Sequence, residues 1–146
     1  MKIHFVCSGN TFRSRLAETY LNSKKLPGVE VSSSGTNAEK SLNGPISWYA
    51  ARIIKNEGLV NFMSHDWKKT TKELIRGNDL VIFMTKYHYD FSKSFLSPDQ
   101  KYEIWDIEDI ECLTKPPLEE EIENMKKSEA IYSQIKNRVD ALELKI

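Results

Sequence analysis

Apolar and polar positions alternate at the start of the chain and then change period. Ile3 and Phe5 alternate with polar neighbours and Val6 follows, so Lys2 to Val6 reads as a strand. Leu16, Ala17, Tyr20 and Leu21 recur at helical spacing, so the pattern predicts a helix over Ser14 to Lys25, with Glu18 near the positive end of its dipole. Pro27-Gly28 ends it, and Val29 to Ser33 reads as a second strand. After a loop over Asn37 to Pro45, the segment Pro45 to Glu57 turns Ala50, Ile53 and Ile54 to one side, with Gly58 as its stop signal. A short helix is expected over Thr70 to Arg76. The run LVIFM makes Asp79 to Thr85 a fully buried strand. Lys86 to Leu96 reads as helical and Tyr102 to Trp105 as a fourth strand. Residues 106 to 117 lack periodicity. Pro116-Pro117 opens a long polar helix whose later stripe is Tyr132, Ile135, Val139, Leu142 and Ile146.

Strands alternating with helices imply an α/β fold: a three-layer α/β/α arrangement with a four-stranded parallel sheet. In such folds ligands bind beyond the carboxyl ends of the strands. Cys7 stands at that end of the first strand. No linker or repeat divides the 146 residues, so 1-146 is expected to be one domain.

The remaining bulk properties exclude more than they assign. Lys plus Arg and Asp plus Glu each number 21, so the formal net charge is zero. That balance gives no reason to expect nucleic acid or an anionic membrane as partner, and any anion site must be built locally. Two cysteines, Cys7 and Cys112, make no disulfide framework. With no signal-like start and no apolar run of about 20 residues, the expected location is cytoplasmic. The three histidines are scattered, so neither a metal nor a cofactor is expected.

The chemistry concentrates in VCSGNTFRS, residues 6 to 14. Five residues separate Cys7 from Arg13. A loop of that length leading into a helix can turn its N–H groups toward one centre and cradle an anion with the help of the helix dipole. Gly9 suits a tight turn there. Arg13 can contact two oxygens of a phosphate at once. The same surroundings favour the thiolate of Cys7, a nucleophile aimed at phosphorus. Ser14 can give that sulfur a hydroxyl hydrogen bond.

CSGNTFRS followed by RLAE resembles the signature of the low-molecular-weight protein tyrosine phosphatases, C-x-G-N-x-C-R-S-P-x-A-E. VSSSGT at 31 to 36, NEGLVNFMSHDWKKTT at 56 to 71 and NDLVIFMTK at 78 to 86 are similar to further stretches of that family. The resemblance implies a phosphatase loop after strand 1, in which Ser8, Gly9, Asn10, Thr11, Phe12, Arg13 and Ser14 bind phosphate. It implies that Cys7 forms a cysteinyl-phosphate and that Arg13 stabilises the transition state. Asn10 would hold the loop's shape, supported by Ser33 and His65. His4 and His88 match nothing in the pattern and read as structural or surface residues. Phe12 stands where many members carry a second cysteine. Arg15 replaces the family's proline and is expected to add positive charge near the mouth.

The family's proton donor is an Asp followed by Pro and an aromatic after the fourth strand. Here that region reads WDIEDIECL. Asp109 falls at the matching position, with Ile110 in place of the proline and Glu111 in place of the aromatic; Asp106 is the reserve. The loop over Asn37 to Gly44 has no aromatic, and Trp48 and Tyr49 sit at helical positions that suit core packing. Thr11 resembles the branch of the family that removes phosphate from arginine.

The expected activity is therefore hydrolysis of protein phosphotyrosine, with phosphoarginine as the second substrate class. The expected partner is a phosphorylated protein or a small phosphomonoester, and the chain is expected to be a monomer or weak homodimer. Three rivals share parts of the pattern. An arsenate reductase would need further cysteines, and only Cys112 remains. A sugar-uptake phosphotransfer protein would not need Arg13. A phosphate-binding module would have lost the acid loop.

Overall fold

The computed structural model describes residues 1–110 and 118–146. Its strands are β1 (Lys2–Cys7), β2 (Glu30–Gly35), β3 (Leu80–Phe83) and β4 (Lys101–Ile104). Its helices are α1 (Arg13–Ser23), α2 (Trp48–Asn56), α3 (Lys72–Arg76), α4 (Lys86–Ser92) and α5 (Leu118–Glu143). All strand pairs are parallel, in the order β2-β1-β3-β4. The expected four-stranded parallel sheet is present.

The pleat sorts the side chains. Ile3, Phe5 and Cys7 of β1 join Leu80 and Ile82 of β3 in the larger core, beneath α1, α2 and α5. Val6, Val81 and Phe83 point the other way and pack with Ile75 of α3 and Tyr89 of α4. Helices therefore cover both faces, which is the three-layer arrangement. The stripe Tyr132, Ile135, Val139 and Leu142 is buried in the larger core. Ile146 lies beyond the end of α5 and is exposed.

Several boundaries differ from the periodicity. β2 runs on to Gly35 because Val6 and Cys7 still pair with Ser34 and Gly35. α2 starts at Trp48 rather than Pro45 because the Ser47 side chain caps it, accepting from the Ala50 N–H at 3.2 Å. Thr71 caps α3 in the same way. The segment after Lys86 is helical to Ser92 and tightens into a 3-10 turn over Lys93–Phe95. Pro116-Pro117, Glu111 and Cys112 lie outside the described residues.

β1 is the strand from which the chain leaves first to one side, to β2, and then to the other, to β3. A crevice opens at such a switch point, beyond the carboxyl end of the central strands. The last residue of β1 is Cys7.

Candidate active site

The loop between β1 and α1 is shaped by Asn10. Its φ of 57° places it in the left-handed region, which asparagine tolerates better than most residues. The positive φ falls on Asn10, so the chain reverses there and not at Gly9. Its N–H then points back at Cys7 Sγ, 3.3 Å away. The strained residue is held at both ends of its side chain. Nδ2 donates to Ser14 Oγ and to Ser33 Oγ, each at 2.8 Å, and Oδ1 accepts from the Lys68 N–H at 2.8 Å. Ser14 Oγ is also 2.9 Å from Cys7 Sγ. The sulfur, 2 % exposed as a residue, thus sits among an amide and a hydroxyl at the head of α1.

Gly35 explains how tightly β2 is drawn in. A Cβ there would lie 2.4 Å from the Ser8 carbonyl oxygen and 2.7 Å from the Asn10 nitrogen. Only glycine fits. From β2, Ser33 both receives Asn10 and donates to the buried Glu18 carboxylate. Glu18 is therefore not a surface charge on the helix dipole. Burial pushes its carboxyl up, and the bond from Ser33 and the charge of Arg15 act the other way.

Two histidines carry loads that sequence reasoning did not separate. His4 bonds Ser32 Oγ at 2.6 Å and Ser34 Oγ at 2.7 Å within the buried sheet, and burial lowers its pKa to about 3. His88 touches the phosphate loop itself: Nε2 is 2.8 Å from Ser8 Oγ. Its Nδ1 accepts from the Thr85 N–H at 3.1 Å. A backbone amide can only donate, which assigns the proton of the neutral ring to Nε2 and makes Ser8 Oγ its acceptor. Burial lowers the His88 pKa to about 3, and the nearby Arg13 acts in the same direction. The signal in the sequence was Thr85 three residues before His88 at a helix start, a pattern that can cap a helix.

Arg13 links the loop to the segment after β4. It is 3 % exposed, and its Nη1 donates to the Ile107 carbonyl at 2.8 Å while Nη2 lies 3.4 Å from Asp109 Oδ2. Asp109 keeps a half-exposed side chain and accepts from the Ile110 N–H through Oδ1. Asp106 takes φ 54°, is exposed, and lines a neighbouring cavity with Lys127 and Ile131. Of the two acids, Asp109 shares a cavity with Cys7 and Arg13.

That cavity holds about 140 Å³. Cys7, Gly9, Thr11 and Arg13 line it together with Ser41, Asn43, Trp48 and Ile110. Thr11 is tied to the head of α2 by its carbonyl, which accepts from the Ser47 N–H at 2.9 Å. Phe12 packs into the larger core. Among the described residues no group of His, Cys, Asp or Glu is arranged to hold a metal ion.

Three expectations need correction. His65 does not support Asn10: it is exposed, and the polar atoms of Asn10 are taken by Ser14, Ser33, Arg15 and the backbone of Lys68. Arg15 is not at the mouth but 1 % exposed beneath the loop. Trp48 is not core: it is half exposed on the cavity wall, its ring 4.7 Å from that of Tyr49. Tyr49 is buried as expected.

Comparison with known proteins bears on this arrangement. Residues 2–143 match the family described as low molecular weight phosphotyrosine protein phosphatase. The chain belongs to this family. Among its relatives is a protein-arginine-phosphatase of Geobacillus stearothermophilus, 37% identical over 89 residues, covering 61% of this chain and 57% of the relative. The low molecular weight protein-tyrosine-phosphatase Etp of Escherichia coli K12 is 37% identical over 83 residues, covering 57% of this chain and 53% of Etp. The chain thus aligns with little more than half the length of these curated relatives. Vibrio vulnificus Wzb, solved in complex with benzylphosphonate, superposes with a TM-score of 0.79 at 25% identity, covering 99% of this chain and 98% of Wzb. Among the described residues no helix is long and apolar enough to cross a membrane.

Proposed function

We propose that the protein is a cysteine-dependent phosphomonoesterase acting on protein phosphotyrosine. The observation that carries this reading is that Cys7, Arg13 and Asp109 line one cavity while the Asn10 N–H and the Ser14 hydroxyl meet the Cys7 sulfur. Ser8 to Ser14 wrap the phosphate, and Arg13 pairs with its non-bridging oxygens. Cys7 Sγ attacks phosphorus, an S–P bond forms, and the ester P–O bond breaks. Asp109 gives its proton to the departing oxygen. A water then attacks the phosphorus, Asp109 takes a proton from it, and the S–P bond breaks. The Ser14 hydroxyl and the Asn10 N–H receive the charge returning to sulfur. Asn10 and Ser33 hold the loop in shape while this happens.

Trp48 supports an aromatic substrate, because an exposed ring on the cavity wall can pack against the face of a phenyl phosphate. Thr11 supports the second reading, hydrolysis of the P–N bond of phosphoarginine, since it lines the same cavity as Asp109, a carboxylate that can face a guanidinium. The same cysteine, arginine and acid serve both. The expected partner is a phosphorylated protein or a small phosphomonoester, met in the cytoplasm by a single-domain chain acting as a monomer or weak homodimer.

The test is release of p-nitrophenol from p-nitrophenyl phosphate between about pH 5 and 8, followed by phosphotyrosine and phosphoarginine peptides compared by kcat/KM. Turnover abolished by Cys7→Ser is expected, with the phosphotyrosine peptide preferred. A wild-type protein that binds phosphate and turns nothing over sinks the reading.

A further inference from the structure

Arg15 has no role in the chemistry above, yet it is among the largest fully buried side chains of the molecule. Burying a guanidinium is costly unless its donors and its charge are met. Its Nη1 donates to the carbonyl of Asn10 at 3.3 Å and to that of Pro45 at 2.8 Å, and its Nη2 donates to the carbonyl of Ser64. These carbonyls come from three separate segments: the phosphate loop, the loop before α2, and the segment after Val60–Phe62. The Nε is buried without a partner, so the planar fork spends its reach on the carbonyls.

The contacts close a ring beneath the loop. Arg15 holds the Asn10 backbone, and Asn10 Nδ2 donates to Ser33. Ser33 and Ser64 both donate to Glu18 Oε2, and the Ser64 carbonyl returns to Arg15. Burial works against the Arg15 charge; Glu18, Asp66 and the Cys7 sulfur act in its favour. An apolar side chain would fill this volume without the desolvation cost. What it could not do is pin the carbonyl of the one residue whose left-handed backbone aims an N–H at Cys7 Sγ.

We infer that Arg15 is a positioning residue for the phosphate loop, fastening Asn10 from behind through a ring of hydrogen bonds that includes Ser33, Glu18 and Ser64. Support that the sequence led one to expect from His65 comes in part from a side chain of α1 itself. The inference rests on the loop being a phosphate site, as proposed above, but it does not need turnover.

Arg15→Met and Arg15→Lys would be titrated with inorganic phosphate and assayed with p-nitrophenyl phosphate, each well below its own unfolding midpoint. Arg15→Met is expected to weaken phosphate binding and to lower kcat, each ~10-fold, as for loss of a charged hydrogen-bond donor. Arg15→Lys, which keeps the charge but not the fork, is expected to fall between that variant and the wild type. A purely structural arginine would change the midpoint and leave phosphate affinity and kcat of the folded protein alone; that result overturns the proposal, as does failure of both variants to fold. If the wild type binds phosphate without turnover, the phosphatase reading fails while the comparison of phosphate affinities still decides the role of Arg15.

Discussion

The floor and the wall of the cavity are built in different ways. On the floor, Asn10 is held at its side chain by Ser14, Ser33 and the backbone of Lys68 and at its carbonyl by Arg15, and all of these side chains are buried. On the wall, Trp48 and Asp109 are half exposed, and Asp109 touches the floor through one contact to Arg13. The difference separates two tasks. On the proposed reading the floor holds donors around an anion of fixed shape, and preorganised donors act without reorganising. The wall must admit side chains of differing shape and release them, which exposed and lightly bonded groups allow.

The sharpest way to break the comparison is at the sulfur. Cys7→Ser is expected to drop p-nitrophenyl phosphate turnover to the uncatalysed background while phosphate still binds, since the loop's donors remain. Residual turnover above that background would move the nucleophile elsewhere.

Next comes the charged link between Asp109 and Arg13. Asp109→Asn is expected to lower kcat by ~10²–10⁴-fold, the usual contribution of a positioned acid, with KM little changed. Asp106→Asn, outside the shared cavity, is expected to leave kcat within about twofold. Reversal of these two results would mean that the segment after β4 takes another register when substrate is bound.

The wall itself is a smaller effect with a sign. Trp48→Ala is expected to raise KM for a phosphotyrosine peptide by about tenfold, consistent with an aromatic contact plus its buried area, and to leave phosphate affinity unchanged. Equal losses for phosphotyrosine and phosphoarginine peptides would show that the ring does not sort substrates.

The last prediction concerns stability and not turnover. His4 and His88 both have folded pKa values of about 3, below the ordinary 6.5. Between those values the unfolded chain takes up protons that the folded chain refuses. Stability is therefore complete above about pH 6.5 and falls as pH drops toward 3, by at most about 1.4 kcal/mol per pH unit for each histidine. Urea unfolding at a series of pH values reads this directly. A His88→Gln variant is expected to flatten the slope by one histidine's share; an unchanged slope would remove His88 from the account.

The two regions were also unequally legible. The position of Cys7 at a strand end, the five-residue spacing to Arg13 and the presence of Asn10 and Ser14 could be read from one short stretch, because a loop that short leaves the backbone few paths. Asp109 could be placed by resemblance, because it falls where the family's Asp-Pro pair falls, four residues after Trp105. The expectation for His65 failed because the segment around it meets the loop through the Lys68 backbone and meets Glu18 of α1 through the Ser64 side chain, a choice no local pattern encodes. Arg15 read as a surface charge because arginine is seldom fully buried, and three backbone carbonyls from distant segments are invisible until the chain folds. Trp48 read as core because helical periodicity gives a face, not what stands opposite it.

The sequence by itself determined the order of strands and helices, the parallel sheet that follows from their alternation, and the place of Cys7 and of the short loop to Arg13 at the end of β1. These depend on period, local turn chemistry and chain connectivity, all short-range properties. Only the tertiary structure decided which residues brace that loop, that His88 reaches Ser8 and that Arg15 closes a ring under Asn10. It alone put Trp48 on the wall and Asp109 in the cavity. Each of those depends on a donor meeting an acceptor from another segment of the chain, and packing sets such meetings, not spacing.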